Sequence, residues 1–168
     1  MNYAEARGLI GTGDLVAVRS HRGGLSAITR VVTQSPYTHT AVAIWLGARL
    51  LLAEMNGGGA CLVPASKYAD TDFDVFACPV HSTEAEGAIF DLLGLDIGYD
   101  FGDLLRIAQH ELLGRPLPAA DDKDLICSAL SASIYLHAGL PRSGLPSIPS
   151  PRDVAAWMGV APTLEVRR

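Results

Sequence analysis

Cys127 is the first residue whose type and setting could do chemistry. It follows the polar run Asp121-Asp122-Lys123-Asp124 and opens the apolar stretch Ile126 to Leu140. With Asp124 as N-cap, Cys127 falls at the third helical position. There the unpaired backbone N–H groups and the positive end of the helix dipole favour a thiolate over a thiol. Against this, a free cysteine more commonly just packs in a core. Cys61 and Cys78 lie on strand-like runs beside Leu62, Val63 and Phe76, with no helix start near them, and read as core residues.

A thiol nucleophile needs a base, and the base needs a partner that orients it. Of five histidines, His39 stands where Ser35-Pro36-Tyr37-Thr38 runs into the apolar strand Thr40 to Leu46. On a period of two it shares a face with Ala41, Ala43 and Trp45, and the small alanines leave room for an imidazole. His21, in the polar stretch Ser20 to Gly23, is either ligand-facing or solvated. His81, His110 and His137 begin, occupy and end helical patterns and fit surface or capping roles.

Glu54 ends the apolar run Leu50 to Ala53, and a carboxylate buried there must find hydrogen-bond partners. Gly47-Ala48 separates Thr40–Leu46 from Arg49–Met55 as a hairpin turn would. In that hairpin, residues whose numbers sum to about 95 lie opposite one another. Glu54 then faces Ala41, within diagonal reach of His39. A slip of one residue would turn Glu54 to the other face.

These residues need a scaffold of strands followed by helices. Asp14–Arg19, the two hairpin arms, Cys61–Pro64 and Asp74–Val80 read as strands. Gly24–Gln34, Ser82–Leu93, Asp100–Leu113 and Asp124–Ala138 carry apolar residues at helical spacing. Ser150 and Pro151 have the chemistry of a helix cap and first turn. Strands grouped largely before helices imply an α+β domain with an antiparallel central sheet. The length of 168 residues suits one domain spanning 1–168.

Composition removes several function classes. Hydrophobic residues make up 49% and charged residues 18%, which excludes disorder. The formal net charge of -5, with no basic stripe, argues against nucleic acid as a partner. The most apolar run, Ala41–Ala53, is broken by Gly47 and Arg49 and falls far short of the ~20 residues that span a bilayer. No signal-peptide pattern stands at the start, so a cytoplasmic protein is expected, or one delivered by another route, as a phage product or an effector would be. His110-Glu111-Leu112-Leu113 begins like a zinc-protease helix, but Gly114 stands at the second histidine position, and no metal is expected. Gly24-Leu25-Ser26 lacks the second glycine of a nucleophile elbow, and Gly11-Thr12-Gly13 lacks the remainder of a dinucleotide fingerprint. No cofactor is expected.

Taken in chain order, Gly13-Asp14-Leu15-Val16-Ala17-Val18, Thr38-His39 with its apolar strand, Leu52-Ala53-Glu54, Tyr99-Asp100 and Cys127-Ser128 resemble the YiiX-like, circularly permuted NlpC-type papain-fold hydrolases. The resemblance spans roughly residues 13–151. It implies a papain-like fold in which histidine and acid precede the cysteine along the chain, and a triad depends on geometry rather than order. By this resemblance Cys127 is the nucleophile, His39 the general base and Glu54 the residue that orients it. Tyr99 matches a pocket-lining tyrosine, and with Ser128 and His21 it completes the expected substrate contacts. The implied reaction is acyl transfer through a thioester, on a peptide or isopeptide amide, with cell-wall murein peptides as the family default. Lipid acyl transfer, or a silent accessory module of the same fold, competes with this reading. The oligomeric state stays open.

Overall fold

The computed structural model describes residues 1–19, 35–95, 98–99, 124–159 and 161–168, with the backbone alone at 98–99 and 124–125. His21 and the expected helices Gly24–Gln34 and Asp100–Leu113 lie outside the described residues. The described chain is α+β. Its centre is a six-stranded sheet of β1 (Leu15–Arg19), β2 (Tyr37–Leu46), β3 (Arg49–Asn56), β4 (Gly59–Pro64), β5 (Phe73–Phe76) and β8 (Leu164–Val166). The order across it is β4-β3-β2-β1-β5-β8, and every neighbouring pair is antiparallel. A separate pair, β6 (Gly98–Tyr99) and β7 (Asp124–Leu125), runs parallel.

Period-two alternation sends successive residues of β1 and β2 into two different cores. Leu15, Ala17, Val42 and Ile44 pack on one face against helices α2 (Ser82–Leu93), α3 (Cys127–His137) and α4 (Pro151–Met158). Val16, Val18, Ala41 and Ala43 pack on the other against the short α1 (Tyr3–Ala6) and a 3-10 turn over Ala65–Tyr68. Because both faces are covered, these strands are almost wholly apolar.

The hairpin joining β2 to β3 turns at Gly47, whose φ of 59° suits a residue without Cβ. Its register runs from Leu46↔Arg49 to Val42↔Ala53, as the sum rule requires. At the other end of the sheet, Asp74 is fully buried and binds Arg19, Arg167 and the Tyr37 hydroxyl. Those partners satisfy a charge that burial would otherwise make costly. They also tie β8, a three-residue edge strand too short to show periodicity, onto β5.

Two boundaries and the burial of two cysteines differ from the sequence reading. Helix α3 begins at Cys127, not near Asp124, because Asp124-Leu125 is drawn into parallel pairing with Gly98-Tyr99. β5 ends at Phe76 instead of continuing to Val80: Pro79 interrupts it, and the Cys78 thiol donates to Val80 O at 3.2 Å across a turn. Cys61 and Cys78 are half-buried, not core residues.

Candidate functional site

Three elements converge where the sheet opens. The β2–β3 ladder stops at Val42↔Ala53, although β2 extends back to Tyr37 and β3 forward to Asn56. Past that last pair stand His39 on β2 and Glu54 on β3. Both belong to the face of Ala41 and Leu52, where the turn Ala65–Tyr68 packs. Helix α3 lies on the opposite face. Its first residue reaches the gap between the strands.

Cys127 occupies the first helical position, after Ile126 in extended backbone (φ -93°, ψ 167°). Ile126 has no capping side chain and is 2% exposed, so its apolar anchor, not a polar cap, fixes where the helix starts. The Cys127 thiol stands against the His39 ring and the backbone N–H groups of Thr40 and Ser128, all of which favour its ionised form. Ser131 Oγ lies 3.1 Å from both the Cys127 carbonyl and the Thr40 hydroxyl, locking the helix start onto β2. Cys127 is 8% exposed.

The imidazole of His39 lies between sulfur and carboxylate. Its Nε2 is 3.2 Å from Glu54 Oε2, which leaves Nδ1 for the sulfur. The ring stacks on Tyr68, with centroids 6.1 Å apart and planes 23° from parallel. Glu54 is 1% exposed and fully partnered: Oε2 also accepts from Tyr68 Oη at 2.6 Å, and Oε1 meets Lys67 Nζ at 2.5 Å.

Electrostatics follow from this geometry. Burial opposes every charge here, and partners overcome it. Burial would lower the basicity of His39, but the Cys127 sulfur and Glu54 raise it to about 10. Burial would push the Glu54 carboxyl up, yet His39, Lys67 and Tyr68 bring it down to about 2. Burial likewise raises the Cys127 thiol, and the imidazolium with the two N–H donors turns that into a net lowering. Tyr68 is raised by burial and by Glu54, so it remains a neutral donor. At neutral pH this set favours thiolate, imidazolium and carboxylate together, an arrangement able to attack an electrophilic carbonyl and return a proton.

No family model and no curated protein sequence matches the chain. Among solved structures it is similar to the metalloprotein yiiX of Escherichia coli O157:H7, at 19% identity and a TM-score of 0.62, over 80% of this chain and 69% of that one. The fold is yiiX-like.

Of the residues singled out from sequence, Cys127, His39 and Glu54 are brought together. Ser128 is not a surface contact: its hydroxyl is fully buried and donates to Pro149 O at 2.7 Å, pinning α3 to the segment that leads into α4. A hydroxyl held this way has no lone donor to offer a substrate, and only the Ser128 backbone N–H faces the sulfur. Tyr99 is described as backbone alone, paired with Leu125. His21 is outside the described residues. Lys67 and Tyr68 were not singled out. The only hint of them in the sequence was the demand of a buried Glu54 for partners, which does not say where in the chain those partners lie.

Proposed function

We propose that this protein is a thiol-dependent hydrolase of the permuted, NlpC-type papain class, cleaving an amide bond in a peptide or isopeptide through a Cys127–His39–Glu54 triad. The observation that carries the reading is the continuous chain of sulfur, imidazole and buried carboxylate at the first turn of α3. The yiiX-like fold is consistent with it.

In the proposed cycle the Cys127 thiolate attacks the carbonyl carbon. The backbone N–H of Cys127, which helix geometry leaves without an intrahelical acceptor, is a candidate donor to the resulting oxyanion. His39 gives its Nδ1 proton to the leaving amine. Water then attacks the thioester with His39 as base, releasing the acid and restoring the thiolate–imidazolium pair. Glu54 keeps the ring turned toward the sulfur and supports its positive charge. Murein peptides are the first substrates to try.

The metal implied by the name of yiiX does not fit the described residues. Among them, no group of three or more His, Cys, Asp or Glu side chains is arranged to hold one. His39 spends one nitrogen on the sulfur and the other on Glu54, so the three donors do not aim at a common point. No step of the proposed cycle passes through a metal.

The test is Cys127→Ala assayed on a panel of murein peptides and other peptide amides, with the fold checked by circular dichroism. Hydrolysis lost in a folded variant supports the reading. Hydrolysis at an unchanged rate refutes it.

A further inference from the structure

Glu54 does not serve His39 alone. Its second oxygen holds Lys67 Nζ at 2.5 Å, and one turn delivers both Lys67 and Tyr68 to the same carboxylate. Ala65 and Tyr68, 3% and 5% exposed, anchor that turn in the core. The Lys67 side chain is 48% exposed. A pair with one arm in water adds little stability, so holding the fold together does not account for this contact. The lysine also lies over the Tyr68 ring, 5.2 Å from its centroid, which fixes the direction of its approach.

The charges form a row: thiolate, imidazolium, carboxylate, ammonium. With Lys67 the row sums to zero. Without it, an imidazolium would sit between two anions with nothing to balance the second. Such a ring is a poor acid, although the proposed reaction requires it to release a proton to the leaving group. The groups facing His39 among the described residues are Cys127 from α3, Glu54 from β3 and Tyr68 from the turn. Cys61 on β4 is directly opposite Glu54, and burial, with Glu54 beside it, keeps its thiol protonated. Tyr68 is neutral, so among the described residues Lys67 is the cation that joins the His39 imidazolium in balancing Glu54 and the thiolate.

We propose that Lys67 is a positioning residue which, by sharing the Glu54 carboxylate, sets how tightly the Cys127–His39 pair holds its proton. The inference rests on the thiol-hydrolase reading and deepens it. Removing the ammonium charge makes the surroundings of the pair more negative, so both sulfur and imidazole hold protons more firmly. Every proton-linked midpoint of the pair therefore moves up in pH.

The test is the rate of iodoacetamide alkylation at Cys127 against pH, read by peptide mass spectrometry on the whole chain. It needs no substrate. Lys67→Met removes charge and hydrogen bond, Lys67→Gln keeps a donor without the charge, and Lys67→Arg keeps both. The alkylation midpoint is expected to rise by roughly half to one pH unit in the Met and Gln variants and to stay in place in the Arg variant. Because the stem is half-exposed, none of the three leaves a core cavity. Unchanged midpoints in both neutral variants, or an equal shift in the Arg variant, overturn the inference while leaving the hydrolase reading intact. A wild-type Cys127 that alkylates only as an ordinary thiol defeats both.

Discussion

Replacing Glu54 by Gln tests the site through its energetics. The substitution keeps the shape of the side chain and deletes its charge. In the folded protein burial alone would raise this carboxyl above 4.5, and His39, Lys67 and Tyr68 instead hold it at about 2. A fall of about 2.5 pH units corresponds to about 3 kcal/mol of stabilisation. That is a ceiling, because the Lys67 arm is screened by water. The sign follows from the direction of the shift. The folded value is below the unfolded one, so the contribution is complete above about pH 4.5 and fades as pH falls through about 2. Gln does not titrate. Its hydrogen bonds to Tyr68 and His39 add only a cost that is the same at every pH. The penalty of Glu54→Gln should therefore be about 2 kcal/mol larger at about pH 6 than at about pH 3. Urea unfolding of both proteins at each pH measures it, provided the two transitions keep equal slopes. A penalty that does not change between the two conditions would mean that Glu54 is not held as a carboxylate by cations, and the electrostatic account of the site would fail.

Three further substitutions test the scaffold. Gly13 has φ +90°, and a Cβ there would come within 2.5 Å of Cys78 Sγ and 2.9 Å of Ala85 Cβ. Gly13→Ala should therefore cost about 3 kcal/mol or more in thermal or urea unfolding. Gly47→Ala, at φ +59° with open space around it, should cost only about 1 kcal/mol. Ser128→Ala leaves the Pro149 carbonyl without its buried donor and should lower stability by about 1–3 kcal/mol. The alkylation rate of Cys127 should be unaffected by it, because the hydroxyl does not face the sulfur.

The hairpin was legible because a turn signal and two apolar arms fix a register. That register put Glu54 diagonally across from His39, and the contact is 3.2 Å. What alternation could not convey is that the ladder stops at Val42↔Ala53, one pair short of Glu54 and three short of His39. The opening there lets Cys127 of α3, on one face of the sheet, meet the His39 side chain of the other face. The helix cap falls two residues later than expected, at Ile126 instead of Asp124: the Asp run carries capping chemistry, but tertiary strand pairing claims Asp124 and buried Ile126 sets the boundary. Lys67 and Tyr68 were invisible for a different reason. A 3-10 turn has no long period, and its approach to Glu54 depends on how β4 folds back over β3. Strand β8 and helix α1 are too short for periodicity to show, although Asn2 and Glu5 do form a capping box.

The attack that opens the proposed cycle requires that Cys127 already be ionised beside a charged His39. Ultraviolet thiolate absorbance, followed against pH in a chain whose Cys61 and Cys78 are replaced by alanine, reads that state directly. The account predicts one thiolate present in neutral and mildly acidic solution, shifting back toward an ordinary thiol when His39 is replaced by Asn. A Cys127 that ionises only near pH ~8.5, with or without His39, would contradict it.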